Sequence, residues 1–155
     1  PFQWVPQISD EELAARHEIL KRGIRRTGSQ LSWHDPKVSL IEGVMSRGDR
    51  RLSRVIHQAW QMGCLFDAWT DQFRFDKWMQ AFNECSIDPN DYTRARSLEE
   101  ALPWGHIDTG LTLDFLKGEY EKALNEEETP DCRFAKCIGC GLQHWEEGCR
   151  RKFQT

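Results

Sequence analysis

Beyond residue 35, apolar residues recur every three or four positions along most of the chain, which is the spacing of amphipathic helices. Asp35 and Pro36 are typical of a helix start, and Gly48 is typical of a helix end. Asp49 is placed to cap a second helix that closes at Gly63. The pattern predicts four helices, with these apolar stripes: Val38, Ile41 and Met45; Leu52, Val55, Ile56, Ala59 and Met62; Phe75, Trp78, Met79 and Phe82; and Leu113, Leu116, Tyr120, Ala123 and Leu124.

The first 35 residues show a different pattern. Two short apolar runs, Phe2–Val5 and Leu31–Trp33, are bounded by turn residues and are predicted to be strands. Between them, Ser9 and Glu12 have the spacing of a capping box, and Gly28 is a natural helix stop. The apolar stripe of this helix is Leu13, His17, Leu20 and Ile24. The predicted fold is therefore mainly α, with a short βαβ unit at the start.

Composition and charge narrow the classes of function. The 155 residues are 39% hydrophobic and 30% charged, which is the balance of a folded globular domain. No apolar run approaches the roughly 18 residues that a membrane-spanning helix needs. The net charge is −4, and residues 59–130 carry six basic residues against fifteen acidic ones. We therefore expect neither a membrane nor a nucleic acid as the partner of this segment.

The strongest chemical signal is a cluster of cysteines near the end of the chain. Cys132-x4-Cys137-x2-Cys140 is followed by His144 and Cys149, and glycines flank Cys140. Thiolates gathered in one short loop suit zinc or an iron–sulfur cluster, so the sequence predicts a metal site. Cys149 is the expected fourth ligand, with His144 as the alternative, and the competing interpretation is a set of unligated thiols.

The distribution of the six cysteines also indicates a compartment. Four of them are clustered rather than spread as a disulfide framework would be, so we expect reduced thiols and a cytoplasmic protein. Cys64 and Cys85 lie beside apolar helix ends and are predicted to act as small buried hydrophobes.

Other residues suited to chemistry or packing are fewer. His34, between a predicted strand and a capped helix, and His106, in a loop before the last helix, are candidates for proton transfer. The motifs of serine hydrolases, phosphate-binding loops and dinucleotide-binding folds are absent from the sequence. Trp60, Trp69 and Trp78 fall in or beside helix stripes and are expected in the core.

Four motifs in a fixed order resemble one family over essentially the whole chain. They resemble the C-terminal part of the uncharacterised radical S-adenosylmethionine (radical SAM) proteins that carry a cobalamin-binding domain. The motifs are Pro1-Phe2-Gln3-Trp4; Ser39-x2-Glu42-x4-Arg47-Gly48-Asp49-Arg50-Arg51; Leu102-Pro103-Trp104-x-His106-Ile107-x2-Gly110; and Asp131-Cys132-Arg133-x3-Cys137-x2-Cys140-Gly141.

The resemblance implies a role as the accessory region of a larger enzyme. Residues 1–35 would be the end of a radical SAM barrel, 36–128 a helical extension, and 129–155 a Cys-rich metal-binding tail. The partner is then the remainder of the parent chain, which would hold S-adenosylmethionine, a [4Fe-4S] cluster and cobalamin. The cluster motif Cys-x3-Cys-x2-Cys of the family's barrel is absent here, so this segment is expected to be inactive alone. The residues expected at the barrel mouth are His34, Ser39, Glu42, Arg47, Asp49 and Arg50.

The alternative hypothesis belongs to another class of protein. A zinc site of four cysteines can stabilise a helical module that serves only protein–protein interaction, with no link to catalysis. The first residue is Pro1 rather than Met, which favours a segment of a longer polypeptide and hence the accessory region.

Overall fold

The computed structural model describes residues 1–149, and these divide into two compact units. The helical unit comprises residues 6–95, and the C-terminal unit comprises residues 1–5 together with the chain from residue 96 onward. The last six residues of the predicted Cys-rich tail, 150–155, lie outside the described residues. The helices are α1 (Asp10–Ile24), α2 (Pro36–Arg47), α3 (Leu52–Gln61), α4 (Phe75–Glu84), α5 (Asn90–Thr93) and α6 (Leu113–Leu124), with short 3₁₀ helices at Phe2–Trp4 and Leu142–His144.

The helical unit is held together by the inward faces of four helices. In this unit α3 packs against α4, α2 against α5, and α1 against α2. The inner positions of α3 follow the predicted stripe, because Val55 and Ala59 are completely buried and Leu52 is nearly so. The core consists of Ile41, Val44, Leu52, Val55, Ala59, Cys64, Trp78, Ala81, Phe82 and Tyr92, with Cys85 partly buried against it. The predicted role of Cys64 is thereby confirmed, whereas Cys85 is only half-buried.

Local capping signals place the ends of these helices correctly. Ser9 Oγ accepts a hydrogen bond from the Glu12 amide at 3.2 Å, and Asp35 Oδ1 accepts one from the Lys37 amide at 2.8 Å. Helix α2 ends at Arg47 with Gly48 as its C-cap, as predicted. Helix α1 is shorter than expected, since it ends at Ile24 rather than at Gly28. Side-chain caps satisfy amide groups that a helix start leaves without partners, which is why these positions were predictable.

The prediction of mainly α structure is confirmed, and the prediction of a βαβ unit is wrong. Residues 1–149 contain no strand. The segment Phe2–Trp4 is a 3₁₀ helix, and Leu31–Trp33 has no regular structure. Two short strands need further strands or a packed face to be stable. The run at Phe2 instead contributes its third residue, Trp4, to the interior of the C-terminal unit, where Trp4 is 1% exposed.

The C-terminal unit is organised around Trp4. The Trp4 ring lies edge-on to Tyr120 of α6, with ring centroids 5.6 Å apart, and the Trp4 carbonyl accepts a hydrogen bond from the Arg96 amide at 2.9 Å. Gln3 Oε1 accepts a hydrogen bond from Trp104 Nε1 at 2.8 Å. The first residues are therefore bound to the segment before α6 by side-chain and backbone contacts. Over the described part of the chain, no helix combines the length and apolar character required to cross a bilayer.

Candidate functional site

The Cys-rich segment forms the strongest candidate site. The six cysteines are thiols, and Cys132, Cys137, Cys140 and Cys149 are all partly buried. Removal from solvent raises the pKa of the Cys149 thiol, and the charges of Cys132, Cys140, Glu146 and Cys137 raise it further. All four predicted ligands belong to the C-terminal unit.

The backbone around Cys140 turns tightly at two glycines. Gly139 has φ +69° and Gly141 has φ +112°, conformations that residues with a side chain rarely adopt. The Cys140 carbonyl accepts a hydrogen bond from the Thr112 amide at 2.9 Å, and Gln143 Oε1 accepts one from the Gly141 amide. The cysteine segment is thus joined to the N-cap residue of α6. The segment therefore folds back onto the chain just ahead of α6.

The thiols are not arranged as the ligands of a metal ion. Within residues 1–149, no group of three or more His, Cys, Asp or Glu side chains has an arrangement that could hold a metal ion. The alternative ligand His144 ends the short 3₁₀ helix Leu142–His144 and is exposed. A cation that entered the cluster would therefore have to draw the thiols inward. The donor set itself, four soft sulfur atoms, fits zinc or an iron–sulfur cluster.

The same Asp-x-Arg turn occurs once in each unit. In the helical unit, Arg51 binds the Asp49 carboxylate with its side chain, while its amide donates to Asp49 Oδ1 at 2.9 Å. In the C-terminal unit, the amide and the side chain of Arg133 donate to the Asp131 carboxylate in the same way. Cys132 lies between these two residues in the sequence. The Arg51 hydrogen bond lowers the pKa of Asp49. Asp49 therefore orders a turn before α3, which has Arg51 as its N-cap and begins two residues later than a cap at Asp49 would imply.

The residues expected at the barrel mouth have different surroundings. His34, Glu42 and Arg50 are exposed, whereas Ser39, Arg47 and Asp49 are partly buried. The Ser39 carbonyl accepts a hydrogen bond from Gln7 Nε2 at 2.8 Å. Five of the six lie on α2 or in the turn that follows it: Ser39, Glu42, Arg47, Asp49 and Arg50. The structure therefore places these residues along one segment of the helical unit, some as internal contacts and some at its surface.

Arg47 forms a crosslink that lysine should not replace. Its Nε donates to the Tyr92 carbonyl at 2.7 Å, and its Nη2 donates to the Arg94 carbonyl at 3.0 Å, which ties α2 to the end of α5. A lysine ammonium lacks the planar fork that reaches two carbonyls. We expect Arg47→Lys to lower the free energy of unfolding by about 1–2 kcal/mol, measured by urea denaturation. Arg54→Lys, at an exposed position of α3, is the control and should change it by less than about 0.5 kcal/mol. Equal losses in both variants would contradict the crosslink.

Exposed apolar side chains of the helical unit were not anticipated. Trp78 is buried as expected, but Trp60 is 56% exposed and Trp69 is 59% exposed, so the prediction that they belong to the core is wrong. Trp69 stacks edge-on with Phe66 at a centroid separation of 5.4 Å. The exposed apolar surface is the name used below for the large exposed apolar side chains of residues 56–69: Ile56, Trp60, Leu65, Phe66 and Trp69. A concentration of large exposed apolar residues is typical of a surface that contacts another molecule.

A cavity of about 760 Å³ lies within the C-terminal unit. Its wall is mostly apolar and includes Trp4, Leu102 and Trp104, with Lys117 from α6 among the few charged groups. His106 also belongs to the wall, and its Nδ1 lies 3.1 Å from the Pro103 carbonyl. Because a carbonyl can only accept, Nδ1 is the donor in this hydrogen bond. His106 is thus placed beside a cavity and not among the cysteines.

No protein-family model matches the chain, and no curated protein or solved structure matches it either.

Proposed function

We propose that this chain is the C-terminal accessory region of a radical SAM enzyme, and that its C-terminal unit holds a structural or auxiliary metal. The four ordered motifs support the enzyme class, because they resemble that family over essentially the full length. The single observation that supports the metal site is the placement of four partly buried cysteines within residues 132–149, on a segment that turns at Gly139 and Gly141.

Several features of the cluster support binding of a metal. Four sulfur donors complete the tetrahedral set of a structural zinc site, and they equally suit an iron–sulfur cluster. The two glycines beside Cys140 give the backbone the turns that a metal loop requires. When bound, the metal would supply folding free energy, because thiolates converge on it only in the folded state. Cys149 is the proposed fourth ligand, and His144 is the alternative.

The exposed apolar surface supports a large partner. In this proposal its occupant is the remainder of the parent chain, a cytoplasmic radical SAM enzyme. That parent alone would bind S-adenosylmethionine, a [4Fe-4S] cluster and cobalamin. His34, Glu42 and Arg50 are exposed on the same helical unit, so their side chains would be accessible to the barrel mouth. Arg47 and Asp49 would act indirectly, since their contacts hold the segment that carries these residues.

The second candidate function is a self-contained, zinc-stabilised helical module that binds another protein. The same exposed apolar surface favours it, because Trp and Phe side chains dominate many protein–protein contacts. The two candidates share the metal site and differ in whether the partner belongs to the same polypeptide.

The coding sequence upstream of Pro1 distinguishes these candidates. The accessory region requires an open reading frame that continues in frame ahead of Pro1 and encodes Cys-x3-Cys-x2-Cys about one barrel length upstream. A stop codon shortly before Pro1, or an upstream domain without that motif, would contradict the proposal and leave the interaction module. As a biochemical check, the 155-residue chain with S-adenosylmethionine and dithionite should yield no 5′-deoxyadenosine above a metal-free control.

A further inference from the structure

The cavity of the C-terminal unit is separate from the cysteine cluster, and the proposed function leaves it unexplained. Its volume of about 760 Å³ falls within the range of small-molecule pockets in proteins. Such pockets combine an apolar wall with a few polar groups that fix the orientation of the ligand. The wall here has two tryptophans, Trp4 and Trp104, with leucines from the loop and from α6.

Two tryptophans of the wall are held firmly in place. Trp104 donates its indole N–H to Gln3 Oε1, and the Arg96 guanidinium lies 5.1 Å from the Trp104 ring centroid. Trp4 is 1% exposed, and Tyr120 packs against its ring. Because Trp4 is almost fully buried, the half-buried Trp104 is the tryptophan ring that a ligand can reach, and stacking on a fixed ring favours a flat aromatic ligand at little cost in conformational entropy.

One cation of the wall has a partner that a ligand can replace. Lys117 Nζ lies 2.7 Å from Glu99 Oε1, and the two side chains differ greatly in exposure: 21% for Lys117 and 83% for Glu99. An ion pair with a solvent-exposed carboxylate contributes little to stability. A ligand carboxylate inside the cavity would meet the same ammonium group with less competition from water, while Glu99 returns to solvent at small cost.

The wall also contains an indole donor that lacks an acceptor. Trp4 Nε1 is buried and has no hydrogen-bond partner among the described residues. Because this atom is fully buried, it lies behind the surface of the cavity, and the charged contact of the ligand falls to Lys117. We propose that this cavity binds a small aromatic carboxylate, with its ring between the apolar walls and its carboxylate on Lys117.

The test uses the full 155-residue chain and 2-naphthoate as the probe, with 2-naphthamide as its neutral analogue. Calorimetric titration should show that the acid binds and that the amide binds at least about tenfold more weakly, since the charge-assisted bond to Lys117 is lost. In ¹H–¹⁵N spectra, naphthoate should shift the indole N–H signals of Trp4 and Trp104 and leave those of Trp60 and Trp69 in place. The four signals are assigned with single Trp→Phe variants.

Three variants make the assignment specific. Lys117→Gln should weaken the binding of naphthoate about tenfold and leave the binding of the amide unchanged. Unchanged binding of the amide also shows that the cavity is still folded. Glu99→Gln should tighten naphthoate binding severalfold, because it removes the competing carboxylate. Lys122→Gln is the matched control: it removes another ion-paired lysine of α6, bound to Glu119, and should change nothing.

Three results would overturn the proposal. The first is the absence of a heat of binding with 2-naphthoate at millimolar concentration. The second is equal affinity for the acid and the amide, and the third is a set of signal shifts confined to Trp60 and Trp69. If Lys117→Gln does not fold, Glu99→Gln still tests the proposal. Weaker naphthoate binding in Glu99→Gln would contradict competition between Glu99 and the ligand for Lys117.

Discussion

Replacing Cys137 with serine should lower the melting temperature of the metal-loaded chain by on the order of 10 °C. Loss of one thiolate weakens a site whose binding free energy is folding free energy, and a loss of several kcal/mol has this effect in a domain of this size. The loss should reach the whole C-terminal unit, because the Thr112 amide binds the Cys140 carbonyl and joins the cysteine segment to α6. Thermal melts followed by tryptophan fluorescence measure it.

The control is Glu127→Gln, which changes an exposed side chain between α6 and the cysteines. It should shift the midpoint by less than about 2 °C. A chelator should lower the melting temperature of the parent sequence as much as Cys137→Ser does. It should not lower the melting temperature of Cys137→Ser any further. If the midpoint is unchanged after complete removal of metal, the cysteine segment does not stabilise the unit.

Gly141→Ala should destabilise the C-terminal unit by about 3–5 kcal/mol, from backbone strain and overpacking together. A Cβ at this position would lie 2.4 Å from the Gly110 carbonyl oxygen and 2.9 Å from the Thr112 amide nitrogen. Both neighbours are backbone atoms, so neither can turn away as a side chain would. The φ of +112° adds strain for any residue other than glycine.

Two other glycines provide graded controls for this substitution. Gly139 has φ +69° and nothing within 4 Å of its Cβ position, so Gly139→Ala should cost only about 1–2 kcal/mol. Gly118 lies inside α6 with open space around it, so Gly118→Ala should stabilise by about 0.5–1 kcal/mol. Urea denaturation of the three variants gives the order. A loss at Gly141 no larger than that at Gly139 would show that the segment does not pack on residues 110–112.

Helix starts and ends were predictable because their signals are local. Ser9 and Asp35 cap amides two or three residues away, and Gly48 ends α2 where its sequence places it. Such contacts depend on a few neighbouring residues and on little else. The stripe of α3 was also readable, since the periodicity of a helix decides which residues share a face.

The errors concern contacts between residues far apart in sequence. Trp4 is buried through contacts with Arg96 and Tyr120, about a hundred residues away, and its own short run could not reveal them. Trp60 follows the buried Ala59 on α3, so its side chain lies to one side of the core-facing stripe and is exposed. Amino-acid type alone predicted it as core. Apolar character says that a residue favours burial, but the rest of the fold decides whether a place exists for it.

The candidate site also has features that the sequence predicts and features that depend on distant contacts. The spacing of the cysteines predicted a metal site, which stays a prediction because the thiols of the described residues are not arranged as ligands. The docking of this segment on Gly110 and Thr112 was not predictable from spacing, since it depends on a backbone contact with a distant turn. The cavity and its Lys117–Glu99 pair likewise form only when the loop after Arg96 meets α6.

The metal content of the chain, purified without oxygen, tests the central claim most directly. Elemental analysis with an absorption spectrum should find one zinc ion, or one brown iron–sulfur cluster, for each chain. The same preparation of Cys137→Ser should hold far less, and Cys85→Ser, outside the cluster, should hold as much as the parent sequence. No bound metal in the parent chain, even after reconstitution with zinc or with iron and sulfide, would contradict the account.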